Sequence, residues 1–120
     1  MAIDDLVTRS DTQSTETFEW GTITWVDSGE LTDSDALTVG RVTIDPGAEN
    51  PEHLHPNCDE TLYLLEGRLD HWIGSDSVEL EAGDCLHIPL GEPHRAANDG
   101  PDPAVAIIAY DTGDREFEPV

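Results

Sequence analysis

The sequence contains no lysine, and its basic residues are five arginines against 27 aspartates and glutamates. With a formal net charge of -22, the 120 residues contain no basic patch or stripe. Proteins that bind nucleic acid need such a patch to neutralise phosphates, and anionic membrane surfaces attract basic segments. The scarcity of basic residues therefore argues against nucleic acid and the membrane surface as partners.

The surplus of acidic residues is spread along the whole chain rather than gathered in a tail. In dilute buffer a surface of this charge repels itself and destabilises the compact state. At about 1 M salt the Debye length falls to about 3 Å, which screens most of that repulsion. The composition resembles that of proteins from salt-loving archaea, and we interpret the chain as a halophilic, acidic protein.

Cysteine is scarce as well, and long apolar runs are missing. Cys58 and Cys85 are too few for a disulfide framework, and the CxxC pairs of zinc and redox sites are absent from the sequence. The start, MAIDDLVTRSDTQ, lacks the basic and apolar regions of a signal peptide. No apolar stretch approaches the roughly 18 residues that indicate a membrane helix. We therefore expect a cytoplasmic protein.

The pattern along the chain predicts an all-β protein, because short alternating or apolar runs recur between Pro and Gly turns and no segment shows sustained helical periodicity. The predicted strands lie at 18–25, 37–44, 60–67, 68–74 and 103–110, with two more within 77–93. Recurring short strands of this kind favour a sandwich or barrel. Residues 1–17 are polar and are predicted to be an N-terminal arm, followed by a single domain over 18–120.

The segment HLHPNCDE contains two histidines two residues apart, His53 and His55, followed by Glu60. Residues two apart in a strand point the same way, so both imidazoles can reach one point. On a continuous strand Glu60 would point to the other face, but residues 56–59 favour a turn that returns it beside the histidines. Two imidazoles and a carboxylate can bind a divalent ion such as iron, manganese, nickel, copper or zinc.

A third histidine on another strand would complete such a metal site. His94 is the best candidate, because it follows the Pro/Gly turn PLGEP and begins a new predicted strand. Leu62 and Leu64 follow Glu60 on the same face of their strand and are predicted to form an apolar pocket wall.

Two segments together resemble the motifs of the cupin family. The first, GAENPEHLHPNCDETLYLLEG, matches the pattern of Gly, five residues, HxH, three or four residues, Glu, six residues, Gly. The second, GDCLHIPLGEPHRAAN, matches Gly, five residues, Pro, one residue, Gly, two residues, His, three residues, Asn. The resemblance implies an antiparallel jelly-roll barrel of about six to eight strands. It also implies four ligands of one divalent transition metal ion: His53, His55, Glu60 and His94.

The resemblance implies a metal-dependent enzyme, of the oxygenase or the isomerase/lyase type, that acts on a small organic molecule. The alternative is a non-catalytic module that binds or senses a small ligand and keeps the metal for structure. The fold does not choose between these functions, and the sequence indicates no catalytic group beyond the ligands. Because cupins often dimerise, we also expect a homodimer.

Several other residues have two interpretations each. Cys58 is either a reactive thiol near the metal or a buried turn residue, and Cys85 is predicted to lie in the core. His87 is a candidate for proton transfer if its strand face points inward. Trp20 and Trp25 are candidates for the dimer interface or for core packing. Tyr63, Trp72 and Arg41 could line the pocket, although packing or surface positions are more common for such residues.

The surplus of acidic residues predicts a strong dependence of stability on salt. We expect the unfolding midpoint to rise steeply between dilute and molar KCl, because added ions screen the repulsion among the carboxylates. Thermal unfolding followed by circular dichroism over a KCl series measures this. A midpoint that does not change with KCl would contradict the halophilic interpretation.

Overall fold

A computed structural model describes residues 2–120, which form eleven strands, a short α-helix and a single turn of 3-10 helix. In chain order the strands are β1 (Ser14–Phe18), β2 (Gly21–Asp27), β3 (Thr38–Ile44), β4 (His53–Leu54), β5 (Glu60–Glu66), β6 (Arg68–Ile73), β7 (Asp76–Glu81), β8 (Cys85–Ile88), β9 (His94–Ala97), β10 (Ala104–Tyr110) and β11 (Glu118–Pro119). The 3-10 turn is Ile3–Leu6, and the helix α1 is Gly29–Thr32. Within residues 2–120, no helix has the length and apolar character required to cross a membrane.

The strands form two antiparallel sheets whose inner faces share one core. The first sheet has the order β1-β2-β3-β10-β5-β8, and the second has the order β11-β4-β9-β6-β7. In each sheet a late strand, β10 or β9, lies between two earlier ones, as in a jelly roll. The predicted all-β, antiparallel jelly-roll class is confirmed. The described residues contain eleven strands, more than the six to eight expected. Two of the eleven, β4 and β11, are only two residues long.

Four of the longer strands follow the sequence prediction to within one or two residues, whereas the strand predicted at 18–25 is interrupted by a turn at residues 19–20, between β1 and β2. The strands β3, β5, β6 and β10 coincide with the runs predicted at 37–44, 60–67, 68–74 and 103–110. The strand β1 begins within the predicted arm and pairs with β2, with Thr15 opposite Thr24. The division into an arm over 1–17 and a domain over 18–120 stays a prediction.

The core lies between the sheets and is built by strict alternation. In β10 every second side chain, from Ala104 to Tyr110, is buried, and those between are half-buried. In β5 the side chains of Glu60, Leu62 and Leu64 point inward, as the sequence pattern predicts. The continuous apolar run of β10 therefore belongs to a strand with one buried and one partly exposed face.

A glycine is required where the chain passes from β5 in the first sheet to β6 in the second. Gly67 has φ of +80°, and a Cβ atom added there would approach the carbonyl oxygen of Pro103 to 2.7 Å. Only glycine combines that backbone conformation with so close a contact. Gly67 is the last residue of the first cupin-like motif, and β6 begins at the next residue.

The strand β8 orients its side chains in a way that the sequence left open. Leu86 and Ile88 point toward the core, whereas Cys85 and His87 are exposed. The prediction that Cys85 lies in the core is wrong, because the alternation of this strand gives the inner positions to the two larger aliphatic residues. The same orientation removes His87 from the interior of the sandwich.

The alternation in β5 predicts a sharp contrast between two adjacent leucines. Leu64 is 0% exposed, so Leu64→Ala should lower the free energy of unfolding by about 2–5 kcal/mol through lost burial and a residual cavity. Leu65 is 42% exposed, so Leu65→Ala should change it by less than about 1 kcal/mol. Denaturant unfolding of both variants in molar KCl measures the difference. Equal losses would contradict the described register.

Candidate metal centre

The structure brings the four predicted ligands together between the two sheets. His53 and His94 lie opposite each other in the β4–β9 pair, and their ring centroids are 4.3 Å apart. The ring of His55, just beyond β4, lies 5.0 Å from His53 and 5.3 Å from His94. Glu60 begins β5 after a turn at residues 56–57, so the predicted turn does return its side chain to the histidine face.

Each of these three imidazoles is oriented by a backbone carbonyl. The Nδ1 atoms of His53, His55 and His94 each lie 2.8 Å from a carbonyl oxygen, that of Pro51, Glu116 and Glu92 respectively. A carbonyl only accepts hydrogen bonds, so Nδ1 must carry the proton and donate it. In the neutral form of each ring, the Nε2 atom is then left as an acceptor. Metal-binding histidines are oriented in the same manner in known sites.

The carboxylate of Glu60 faces two of these acceptors. Its Oε1 lies 3.4 Å from Nε2 of His55 and 3.2 Å from Nε2 of His94. Neither contact has the geometry of a hydrogen bond, and all three buried atoms lack a hydrogen-bond partner within residues 2–120. Unsatisfied buried polar atoms cost about 1–3 kcal/mol each. A cation among these acceptors would satisfy them together.

The charges of the cluster follow from its burial. Burial alone would raise the pKa of Glu60, but the two neighbouring imidazoles, His55 and His94, lower it to about 2. Burial, with a further contribution from the charge of His94, lowers the pKa of His53 to about 4. Burial opposes protonation of His94 too, but the Glu60 carboxylate outweighs it and raises the pKa. At neutral pH the cluster therefore contains an ionised carboxylate beside a neutral His53.

This donor set suits a divalent transition metal ion. The ligand atoms of His53, His55 and His94 lie within 4.8 Å of one another, so these three buried histidines could bind one metal ion. Imidazole suits zinc, copper, iron and nickel, while a carboxylate also suits manganese. The geometry does not select among these ions.

A cavity of about 410 Å³ borders the cluster. Its polar wall includes His53, Glu60 and His94. Most of the remaining wall is apolar and includes Trp20, Ile23, Val42, Leu62, Ile108 and Phe117. Leu62 forms part of the wall as predicted, whereas Leu64 lies in the core away from it. A larger and more open depression of about 570 Å³ lies beside the cavity, but none of the four predicted ligands lines it.

Two buried residues near the cluster were not singled out from the sequence. His71 on β6 stacks on His94 with ring centroids 5.9 Å apart, and its Nδ1 has no hydrogen-bond partner within the described chain. Burial, then the charge of His94, lowers the pKa of His71 to about 4. Tyr110 ends β10 with its ring 5.0 Å from that of His55, and burial raises its pKa well above 10. The alternation of β6 and β10, which puts each on an inward face, was the available signal.

The C-terminal segment completes one side of the centre, although the sequence showed it only as an irregular tail. The amide of Asn57 donates to the carbonyl of Asp114 at 2.8 Å and accepts from the backbone N–H of Glu116 at 2.9 Å. This pair of bonds fixes the Glu116 carbonyl that orients His55. Phe117 then stacks on His53 at 4.9 Å. The segment thus contacts two predicted ligands through its backbone and its aromatic ring.

Three other residues considered from the sequence lie away from the centre. Tyr63 and Arg41 point outward from the first sheet, and Trp72 lies under the guanidinium of Arg95 at 3.8 Å. Cys58 is a buried turn residue, and burial together with the charge of Asp111 raises the pKa of its thiol to about 11. Such a thiol stays protonated at neutral pH, which favours the structural interpretation.

The comparisons with known proteins agree with this architecture. Residues 40–110, more than half of the chain, match the Cupin domain family. The chain is therefore a member of the cupin family. Both motifs that carried the resemblance lie within the matched region.

Among curated relatives, the chain is 38% identical over 70 residues to the tetracenomycin polyketide synthase protein TcmJ of Streptomyces glaucescens, covering 58% of this chain and 47% of that one. It is 33% identical over 81 residues to germin-like protein subfamily 2 member 1 of Arabidopsis thaliana, covering 63% and 37%. The chain therefore spans less than half the length of these relatives. Among solved structures, oxalate decarboxylase from Bacillus subtilis superimposes with a TM-score of 0.82 at 24% identity, covering 90% of this chain and 30% of that one. This last likeness shows the fold.

The depressed pKa of His71 predicts that the metal-free protein loses stability in acid. An unfolded histidine has a pKa near 6.5 and the folded one about 4, so below pH 6.5 the unfolded chain binds more protons. Between pH 6.5 and 4 the free energy of unfolding should therefore fall as pH falls. In His71→Gln this slope should be shallower by about 1 kcal/mol per pH unit.

Urea unfolding in molar KCl with a chelator measures these slopes. The exposed His87 supplies the matched control, and His87→Gln should keep the wild-type slope. Identical slopes in wild type and His71→Gln would contradict the burial of His71 as a neutral side chain.

Proposed function

We propose that this cupin is a metal-dependent enzyme that acts on a small organic molecule, with His53, His55, Glu60 and His94 as the ligands of one divalent transition metal ion. The observation that carries this proposal is the convergence of buried, unpaired acceptors from His55, Glu60 and His94. Because backbone carbonyls orient the three imidazole rings, the inward Nε2 atoms are fixed in position before any ion binds. When bound, the ion would supply Lewis acidity to an oxygen atom of the substrate.

The cavity wall indicates the kind of molecule that this site accepts. An apolar or aromatic body would contact Trp20, Ile108 and Phe117, and an oxygen-bearing end would reach the polar wall. Arg115 also lines the cavity and stacks on Trp25 at 4.5 Å. Its guanidinium offers hydrogen bonds and positive charge to a carboxylate, enolate or phenolate group of the substrate.

This proposal includes two reaction types, isomerase or lyase chemistry and oxygenase chemistry. A small cyclic carbonyl compound as substrate would agree with the similarity to a polyketide synthase protein and with isomerase or lyase chemistry. An organic acid as substrate would agree with the structural similarity to oxalate decarboxylase. In each case His71 and Tyr110 are the protein groups near the cluster, and as a neutral imidazole and a neutral phenol they can exchange or hold a proton at the substrate.

The alternative function is a non-catalytic module that binds or senses a small ligand. The observation in its favour is the predominantly apolar wall of the cavity. Against this alternative, the bulky side chains of Leu62, Leu64 and Trp72 do not fill the cavity beside the predicted ligands. Open access to the cluster favours catalysis over a purely structural metal. The homodimer and the cytoplasmic location expected from the sequence are also proposals.

The metal site has a direct test. Protein purified without chelator should carry close to one divalent transition ion per chain, because four ligands converge on one point. His55→Ala should lose most of that metal, with an affinity reduced by at least about tenfold. Inductively coupled plasma mass spectrometry measures the ion content, with the exposed-histidine variant His87→Ala as the matched control. Absence of metal after reconstitution would overturn the ligand assignment.

A separate assay distinguishes the enzyme from the binding module. Metal-loaded protein is incubated with a panel of small aromatic acids and cyclic 1,3-dicarbonyl compounds, and products are identified by mass spectrometry. A product that forms with wild type and His87→Ala but disappears with His55→Ala supports the enzyme. Saturable binding with no chemical change across the panel would favour the alternative function.

A further inference from the structure

The cavity beside the candidate metal centre is lined by an arginine that has no carboxylate partner. Arg9, Arg68 and Arg95 each form an ion pair with a carboxylate. Within residues 2–120, Arg41 and Arg115 form none, and Arg41 is exposed on the outer side of the first sheet. Arg115 is half-buried and lines the cavity. In a chain with 27 acidic residues, this leaves a positive charge available to a ligand.

Two aromatic rings hold the guanidinium of Arg115 in place of a carboxylate. Its central carbon lies 4.5 Å from the centre of the Trp25 ring and 5.2 Å from that of the Tyr110 ring. The indole N–H of Trp25 donates to Glu16 at 2.9 Å, which fixes the ring beneath the cation. A ring face attracts the positive charge but leaves the in-plane N–H groups unused. These groups can therefore donate to another acceptor.

The backbone at Arg115 is held on both sides by a single amide side chain. Asn57 donates to the carbonyl of Asp114 at 2.8 Å and accepts from the N–H of Glu116 at 2.9 Å. These two residues are the chain neighbours of Arg115. Asn57 itself belongs to the turn at residues 56–57, between two predicted metal ligands. The turn that places those ligands therefore also places the guanidinium.

The ring of Tyr110 contacts both Arg115 and the cluster of predicted ligands. Its centre lies 5.2 Å from the guanidinium carbon and 5.0 Å from the centre of the His55 ring, so the guanidinium carbon and the His55 ring are at most about 10 Å apart. A molecule with one six-membered ring and a polar group at each end can span such a distance. One small substrate can therefore reach the candidate metal centre and Arg115 together.

The surroundings of Arg115 limit where an anion can bind. The cavity and the neighbouring depression of about 570 Å³ share Glu16, Arg115 and Phe117 in their walls. The depression is lined by further carboxylates that would repel an anion, those of Glu30, Asp33, Asp35 and Asp114. On the cavity side the wall is mostly apolar, and the carboxylate of Glu60 belongs to the candidate metal centre. An anion is therefore favoured on the cavity side of the guanidinium.

We propose that Arg115, positioned by Asn57, selects substrates with a carboxylate group and binds that group while a second oxygen of the substrate faces the metal centre. This inference rests on the function proposed above and assigns the two ends of its substrate. A carboxylate matches the planar guanidinium through two parallel hydrogen bonds, which the single oxygen of a phenolate or enolate does not offer. The substrate class is thus a small carboxylic acid with a second oxygen-bearing group about one ring away.

Chemical-shift titrations of the metal-free, ¹⁵N-labelled protein in molar KCl test the carboxylate site. The probes are benzoate and benzamide, which have nearly the same shape but differ in charge. Benzoate should bind to the wild type about tenfold more tightly, because charge-assisted hydrogen bonds are stronger than neutral ones.

Substitutions at Arg115 should remove this preference. Arg115→Gln should reduce it to about twofold or less, and Arg115→Lys should retain part of it, because lysine keeps the charge but not the planar pair of donors. Arg41→Gln is the matched control, because it removes one positive charge from an exposed position outside the cavity. This control should keep the wild-type preference.

The role of Asn57 has a separate test. Asn57→Ala should lower the preference for benzoate by roughly threefold or more, because the backbone on either side of Arg115 is no longer held. In an Arg115→Gln background the same substitution should leave the preference unchanged. A general loss of stability would not produce this dependence on Arg115.

Equal binding of the two probes by the wild type, or no saturable binding of benzoate, would overturn the proposal. So would a preference that survives Arg115→Gln or that falls to the same degree in Arg41→Gln. The ¹⁵N–¹H spectrum of each variant shows whether it is folded. Because the titrations require neither a metal ion nor turnover, their result is separate from the metal content and product formation that test the proposed enzyme.

Discussion

Three hydrogen bonds from imidazole N–H groups to backbone carbonyls are the constraint on which the centre depends. They fix the rings of His53, His55 and His94 so that the Nε2 atom of each ring faces the same interior point. Glu60 adds a fourth acceptor from the opposite sheet. Without a cation these acceptors oppose one another, so the arrangement is costly unless it serves binding. The rest of the fold can be understood as the support that keeps these carbonyls in place.

That support comes from segments far apart in the chain. Pro51 precedes β4, Glu92 belongs to the turn before β9, and Glu116 lies in the C-terminal segment. Asn57 connects the turn between two predicted ligands to that C-terminal segment through two hydrogen bonds. The spacing of the two motifs therefore helps to position the orienting carbonyls as well as the predicted ligands. The turns provide the carbonyls, and the strands provide the directions of the rings.

Much of this arrangement could be predicted from the sequence, because local rules determine it. Strand parity and the turn at residues 56–59 predicted that Glu60 would lie beside His53 and His55, and alternation predicted the inward direction of Leu62. The position of Cys85 was predicted wrongly, since a four-residue strand gives no internal sign of which alternate set is buried. The contributions of His71, Tyr110 and Glu116 were missed, because pairing across sheets and docking of the tail bring them to the centre.

The protonation state of the three rings is the most direct test of the central claim. Long-range ¹⁵N–¹H correlation spectra of the metal-free protein at neutral pH distinguish Nδ1–H from Nε2–H in each histidine. We predict the Nδ1–H form for His53 and His55, and a proton on Nδ1 of His94 with or without a second one on Nε2. A neutral His53 or His55 that carries its proton on Nε2 would contradict the proposal that backbone carbonyls prepare this site for a metal ion.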